Sequence, residues 1–448
     1  MKLFREFAQL SLLLVLAAAC LHAELEPLPY HPSQPGYHDA TLALGEYCLE
    51  NKLYSEARRL CESVTGDNLE RAREIITECE GKDDEYTSEA WGAYLDRVEG
   101  VNKRRAVGVE KAGQGAQQIL QLDPDHVGAN ESMGRKWLDG LGWLSKASFE
   151  QYSKLVLNLD AETSKPDYDV SWEQPYVLVG EHFTLVTDLD WKRAFKYAGL
   201  LQRYHEIFFE LLGDVIPQRE APNVVWCCKK SKTFVQFTTD IGYPMGETNG
   251  GMHVGTLQAV FINAERCDYV GRKNKAKDNL ARTMYHECAH RLVEIGLRGR
   301  RGGWASYDLA TTKEHAWIVE SIAVVFEDLQ ISDSKYKLKG LEDQRTYTIK
   351  KYWAGKKGEV PKLKPIFAQG FSGFAAGEPI SSVEKYALAG SVAWYCLFEK
   401  PDEYRKPYLH LLVDYYRTDT AHSDFKARFS VELEDFQTEW QEWVVDLK

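Results

Sequence analysis

Two histidines four residues apart, with a glutamate directly after the first, form the most restrictive feature of this sequence. They are His286, Glu287 and His290, and they lie in the segment 277–296, KDNLARTMYHECAHRLVEIG. Apolar residues recur in this segment at steps of three and four, which predicts an amphipathic helix with one buried stripe. The residues of that stripe are Leu280, Met284, Cys288, Leu292 and Ile295. Because residues i and i+4 share one face of a helix, both imidazoles can reach a single metal ion.

Chance does not readily produce this pattern. A chain of 448 residues with 12 histidines and 67 acidic residues is expected to contain it about 0.05 times. Cys288 belongs to the buried stripe on another side of the helix, so it is not predicted to be a metal ligand. The alternative interpretation is that the two histidines lie on the solvent face of an ordinary amphipathic helix.

A second helix is predicted for residues 316–326, which are apolar except for Glu320 and Ser321. A helix that is apolar on all sides is normally buried. Burying an unpaired carboxylate costs several kcal/mol or shifts its pKa upward. A metal ion shared with the two histidines would explain Glu320, and an ion pair with Arg282 or Arg291 is the alternative.

The two helices together resemble the active site of the gluzincin zinc metallopeptidases. Residues 317–323, WIVESIA, are similar to the WxxEGxA pattern of that family, with Ser321 where glycine is usual. The resemblance implies that His286, His290 and Glu320 bind one Zn²⁺ per chain and leave a fourth position for water.

The flanking sequence adds weaker similarity to the same family. Residues 249–263, NGGMHVGTLQAVFIN, are similar to the edge strand along which a substrate lies in gluzincins. Residues 386–416 resemble the helices that follow the site in peptidase MA-like domains of exported bacterial proteins. Those proteins often carry tetratricopeptide-like helices in front of the domain. The resemblance covers roughly residues 175–445.

The resemblance also implies a reaction, the metal-assisted hydrolysis of a peptide bond. Zinc lowers the pKa of its bound water, and Glu287 takes the proton and later passes it to the leaving amine. A second donor is expected to stabilise the oxyanion that develops on the scissile carbonyl. Tyr386 is the first candidate for that donor, with His315 and Tyr307 as alternatives; a buried core tyrosine is the other interpretation of Tyr386.

Glu327 and His253 are two further residues that the sequence places near the predicted metal ligands. Glu327 follows Glu320 by seven residues and therefore lies on the same helix face. The favoured interpretation is a solvated charge at the helix end, and the alternative is a carboxylate that orients a ligand histidine. His253 lies on the predicted edge strand and could face the cleft.

The order of the predicted elements indicates an α+β chain. Residues 24–165 are predicted to be all-helical: the stretch 44–64 resembles one tetratricopeptide unit, and 119–144 is expected to form a further helical pair. Strands come next, from about residue 175, and helices follow from 277 onward. Residues 166–448 are therefore predicted to form a small mixed or antiparallel sheet followed by helices, and the resemblance to gluzincins implies that these helices form a zincin-like active-site subdomain.

The first 23 residues have the pattern of a secretory signal peptide. A positive start with Lys2 and Arg5 precedes an apolar run over residues 10–19, which is too short to span a bilayer. Cleavage is expected either directly before Cys20 or after residue 23, and a lipid anchor at Cys20 or a buried N-terminal helix are alternatives. The protein is therefore predicted to be exported, with no transmembrane segment and with at most two disulfides.

Two classes of function fit these patterns. The first is a zinc peptidase acting on a peptide or protein substrate, and the second is a catalytically silent peptide-binding or scaffold protein with the same fold. Hydrolysis of a non-peptide amide is a third possibility. The N-terminal helices could dock a protein partner. The net charge of −12 disfavours a nucleic-acid partner, because a broad basic surface is needed to neutralise phosphates.

Overall fold

The computed structural model describes most of the chain and divides it into two compact units. The described residues are 37–82, 84–111, 113, 115–159, 163–274, 278–299, 316–332, 335–338, 349, 353, 360–376, 380–417 and 425–447. The first unit contains residues 37–153 together with 211–220 and 236–244, and the second contains the remainder. The domain boundary at residue 165 stays a prediction.

The first unit is mainly helical. Its helices are α1 (Tyr37–Glu50), α2 (Tyr54–Glu62), α3 (Leu69–Cys79), α4 (Ser88–Lys111), α5 (Ala116–Leu122), α6 (Val127–Ser132) and α7 (Lys146–Tyr152). The helical pair predicted within residues 44–64 is confirmed by α1 and α2. Leu53, Ala57 and Leu60 are buried at their junction, which explains the helical spacing of the apolar residues.

The prediction that residues 24–165 are all-helical is wrong at residues 135–145 and again at Val156–Asn158, which is a strand of the second unit. Two antiparallel strands form a hairpin at residues 135–145, β1 (Arg135–Leu138) and β2 (Gly142–Ser145). The chain reverses through Gly140, whose φ of 79° suits glycine. Trp137 and Trp143 face each other across the strands, with ring centroids 5.6 Å apart. Such cross-strand aromatic pairs stabilise a hairpin.

A six-stranded mixed sheet organises the second unit, which confirms the α+β class. Its strands, in spatial order, are β3 (Val156–Asn158), β4 (Tyr176–Val179), β5 (Thr184–Thr187), β6 (Val224–Cys228), β8 (Ala259–Asn263) and β7 (Gly251–Val254). The β4–β5 and β7–β8 pairs are antiparallel and the other pairs are parallel. β7 therefore forms one edge of the sheet.

Helices predominate in the rest of the chain. They are α8 (Trp191–Leu212), α9 (Ser231–Asp240), α10 (Ala264–Asn274), α11 (Asn279–Arg298), α12 (Ala316–Glu327), α13 (Lys364–Phe367), α14 (Phe371–Ala375), α15 (Ser382–Trp394), α16 (Lys406–Arg417), α17 (Phe425–Phe429) and α18 (Leu433–Asp446). Two π-helical turns, Tyr395–Glu399 and Pro401–Arg405, lie between α15 and α16. The prediction that the chain is helical from 277 onward misses a hairpin, β9 (Leu329–Ser332) with β10 (Lys335–Leu338).

Two of these helices position the candidate site. We call α11 the motif helix and α12 the glutamate helix, after the residues that they carry. The motif helix packs on strands β7 and β8 and on the glutamate helix. The glutamate helix in turn packs closely on α15. All five side chains of the predicted apolar stripe are buried, as expected, but most of the other residues of the motif helix are buried too, so the prediction of an amphipathic helix is wrong.

The close packing of the glutamate helix on α15 depends on Gly390. A Cβ atom at that position would overlap Val324 Cγ1 and would lie only 3.0 Å from Val324 Cβ. Rotating the valine side chain does not remove the second contact, so the two helices can approach this closely only without a side chain at residue 390. Glu320 lies one turn before Val324, so the same contact sets the position of the site.

We therefore expect Gly390→Ala to lower the free energy of unfolding by about 1–3 kcal/mol, through overpacking. Gly199→Ala is the matched control, since Gly199 lies in the exposed part of α8 with no atom within 4 Å of the added Cβ. That control should raise the stability by about 0.5–1 kcal/mol, because alanine favours a helix. Urea denaturation of the two variants measures both effects, and a shift of the same sign in both would contradict the packing argument.

Several predictions concern residues that the structure does not describe. The N-terminal segment with Cys20, and the alternative donors Tyr307 and His315, lie outside the described residues. Among the residues that are described, no helix has both the length and the apolar character needed to cross a bilayer. The eight cysteines from Cys48 to Cys396 are buried thiols with no disulfide between them.

Candidate metal centre

The motif helix begins at a well-defined cap and presents both histidines on one face. Asp278 accepts a hydrogen bond from the N–H of Ala281 at 3.1 Å, which satisfies one of the free donors at the helix start. Gly299 ends the helix with a φ of 67°. The side chains of His286 and His290 are only 10% and 11% exposed. The alternative of two solvated histidines is therefore wrong.

The glutamate helix places its carboxylate against these histidines. Its residues are buried almost throughout, as the apolar sequence predicts, and Glu320 itself is 3% exposed. The alternative interpretation of Glu320, an ion pair with Arg282 or Arg291, is not supported, because among the described residues both arginines contact other partners. Arg282 Nη2 lies 2.9 Å from Glu327 Oε2, and Arg291 donates to Asn223 Oδ1 at 3.1 Å.

The donor atoms of the three predicted ligands form a small triangle. The two Nε2 atoms of His286 and His290 are 3.2 Å apart. Glu320 Oε2 lies 3.2 Å from the first and 3.6 Å from the second. A tetrahedral site with metal–ligand distances of about 2.05 Å separates its donors by about 3.3 Å. The three side chains therefore form a buried group that could bind a metal ion.

Burial and mutual attraction determine the charges in this triangle. Burial alone would raise the pKa of the Glu320 carboxyl, but the facing His290 and His286 hold it well below its ordinary value. Burial alone would lower the pKa of His286, but the carboxylates of Glu320 and Glu327 raise it. Glu320 Oε2 is buried and has no well-formed hydrogen bond among the described residues. An anionic oxygen of this kind is suited to a cation.

Glu327 is buried against the first histidine, which corrects the favoured sequence interpretation. Its side chain is 7% exposed, so it is not a solvated charge. Glu327 Oε1 lies 2.8 Å from His286 Nδ1, and its other oxygen accepts a hydrogen bond from Arg282 at 2.9 Å. A carboxylate on the Nδ1 side of a ligand histidine leaves Nε2 free for the metal and fixes the ring.

Glu287 lies beside the triangle and contacts the edge strand. Its Oε2 accepts a hydrogen bond of 2.8 Å from the backbone N–H of His253, in β7. The strand approaches the motif helix closely at Gly251, where a Cβ atom would lie 3.1 Å from Glu287 Cγ. The edge strand and the motif helix are therefore in direct contact at the predicted general base.

Ser321, the residue that departs from the gluzincin pattern, has a structural role. Its hydroxyl lies 2.6 Å from the hydroxyl of Tyr408 in α16 and donates to Ile318 O at 2.8 Å. Both residues are fully buried. The serine therefore joins the glutamate helix to α16 by a hydrogen bond that a glycine could not make.

The ring of one tyrosine lies beside His286, and a second tyrosine interacts electrostatically with Glu320. The ring of Tyr386, which is half-buried, has its centroid 6.2 Å from that of His286 and 5.2 Å from that of Phe374. Its role as an oxyanion donor stays a prediction. Sequence reasoning missed Tyr415, whose pKa burial raises to about 12, with Arg298 lowering it and Glu320 raising it further.

Comparison with known proteins gives no assignment: no family model and no curated protein matches this chain. Support for a function therefore comes from the chemistry of the site itself.

Proposed function

We propose that this protein is an exported, zinc-dependent peptidase of the gluzincin type, with one zinc ion per chain. The triangle formed by His286, His290 and Glu320 carries the proposal. Two imidazoles and one carboxylate form a donor set that catalytic zinc sites use, and three protein ligands leave a position open. A structural zinc site would instead be expected to have four protein ligands.

The residues around the triangle supply the rest of a hydrolytic site. When bound, zinc acidifies a water molecule and polarises a carbonyl group. Glu287 accepts a proton from the attacking water and passes it to the leaving amine. Glu327 fixes the orientation of His286, because it contacts the Nδ1 atom on the far side of that ring. Tyr386 donates a hydrogen bond to the developing oxyanion.

The substrate class and the location of the protein are part of the same proposal. An extended peptide suits an edge strand such as β7, whose outer side carries backbone groups that are not paired to β8, apart from the His253 N–H that Glu287 accepts. The presence of Glu287 supports turnover, since a module that only binds peptides does not need a general base. The signal-like first 23 residues support export, and the helices of the first unit are a candidate docking surface for a protein partner.

Metal analysis combined with a hydrolysis assay tests the proposal. The full chain, dialysed against zinc, should hold about one zinc ion and should cut members of a broad peptide library. A chelator should remove both the metal and the activity, and added zinc should restore them. His290→Ala should abolish zinc binding, because it removes one of three ligands.

The possible outcomes separate the alternatives. A folded protein that takes up no zinc would overturn the proposal. A protein that binds one zinc ion but cuts no peptide would instead support the silent peptide-binding function, and cleavage of only non-peptide amides would redefine the substrate.

A further inference from the structure

The edge strand β7 directs alternate backbone groups away from the sheet. Asn263 N–H donates to Gly250 O at 2.8 Å, and Met252 pairs with Phe261 in the same register. In an antiparallel pair, alternate residues bond to the neighbouring strand. The N–H of His253 therefore points outward, and it is this group that meets Glu287 Oε2 at 2.8 Å.

The side chain of His253 makes a second contact with the motif helix. Its Nε2 atom lies 3.1 Å from Glu294 Oε2, and the Glu294 side chain is only 2% exposed. Neither carboxylate oxygen of Glu294 nor the Nε2 atom of His253 has another hydrogen bond of good geometry among the described residues, so the 3.1 Å approach of these two side chains is a polar contact that each makes with the other. Burial would raise the pKa of Glu294, but His253, with Arg298 and Arg291 beyond it, lowers that pKa to about 2.

Gly251 completes the attachment of the strand to the helix. A Cβ atom there would lie 3.0 Å from Thr283 Cγ2 and 3.1 Å from Glu287 Cγ. The strand thus contacts three turns of the motif helix, by close packing at Thr283, by a hydrogen bond at Glu287 and, two turns further on, by a polar contact at Glu294. Residue 253 provides the second and third of these contacts.

We propose that His253 is a positioning residue for Glu287. The contact of the His253 imidazole with Glu294 fixes the position of the edge strand relative to the motif helix. In that position the backbone N–H of His253 donates to one oxygen of the Glu287 carboxylate and holds it in place. The second oxygen then remains for proton transfer. The role of Glu287 in this proposal rests on the proposed function. One consequence concerns the substrate, since the N–H of His253 is committed to Glu287 and is not offered to a peptide that lies along β7.

Hydrogen exchange of the backbone amides of residues 252–254, measured in the metal-free full chain, tests the contact without any substrate. We expect Glu287→Ala and His253→Ala each to lower the protection factor of amide 253 at least 10-fold, with changes below threefold at its two neighbours. His253→Gln, whose amide can donate to Glu294, should return that protection to within threefold of the wild type. An unchanged amide 253 in His253→Ala, or an equal loss at all three amides, would overturn the proposal.

Kinetics of the zinc-loaded protein provide the second readout. His253→Ala should lower kcat about 10-fold to 100-fold, with KM within threefold and zinc content unchanged, and His253→Gln should recover most of the rate. A general loss of structure would instead reduce zinc content as well. If the wild type hydrolyses nothing, the proposed function fails, but the exchange result still decides whether His253 positions Glu287.

Discussion

Glu287→Gln in the zinc-loaded protein is expected to lower kcat for peptide hydrolysis by about 10²–10⁴-fold while zinc content stays at one ion per chain. Glutamine has the same shape, and its amide oxygen can still accept the hydrogen bond from His253 N–H. The strand and the helix therefore keep their positions. An amide cannot take up a proton near neutral pH, so the step that fails is proton transfer rather than binding. Steady-state kinetics together with metal analysis of the same sample measure both quantities.

Glu206→Gln is the matched control for this change. Glu206 lies on α8, with its side chain 49% exposed and paired with Arg203. The control removes one carboxylate charge from the chain without touching the site, so it should leave kcat and zinc content unchanged. A zinc-loaded Glu287→Gln protein with a kcat close to that of the wild type would show that Glu287 is not the general base.

Local periodicity made the two helices of the site predictable. The stripe from Leu280 to Ile295 repeats at helical spacing, and the structure buries all of it. The apolar stretch around Glu320 likewise predicted a buried helix and a buried carboxylate. Both inferences depend only on residues within a few turns of each other, where sequence spacing fixes which side chains share a face.

The role of Glu327 could not be read in the same way. In the sequence it is a charged residue at the end of an apolar helix, which more often means a solvated side chain. Its burial depends on Arg282, which is 45 residues earlier and on another helix. Pairing between distant helices is set by tertiary packing, and no local pattern in the sequence reports it.

The hairpin β1–β2 shows a different limit, because the sequence contains a local signal for it that the helical prediction did not use. The segment contains Asp-Gly between two tryptophans, and Asp-Gly between apolar runs is a strong hairpin signal. The helical character of the preceding residues favoured a helix instead. The contact of Trp137 with Trp143 is made only when the chain reverses at Gly140.

Glu320→Gln is expected to weaken zinc binding by about 10²–10³-fold, since it replaces a charged ligand of a three-ligand site by a neutral amide. Glu327→Gln is the matched comparison, because both residues are buried glutamates of the glutamate helix that face His286. Glu327 contacts the ligand ring rather than the metal position, so its loss should weaken binding by only about 10–100-fold. Competition with a chromophoric chelator at one fixed pH measures both affinities.

The order of the two affinities is the decisive result. Glu320 Oε2 lies within 3.6 Å of both Nε2 atoms, whereas Glu327 reaches only Nδ1 of His286. If Glu320 is a ligand, replacing it must therefore weaken zinc binding more than replacing Glu327 does. If Glu320→Gln binds zinc as tightly as the wild type, the carboxylate is not a ligand and the site has only two protein donors. Urea denaturation of the metal-free variants is the control for a general loss of stability. The loss of a ligand weakens zinc binding even where the free energy of unfolding of the metal-free chain is unchanged.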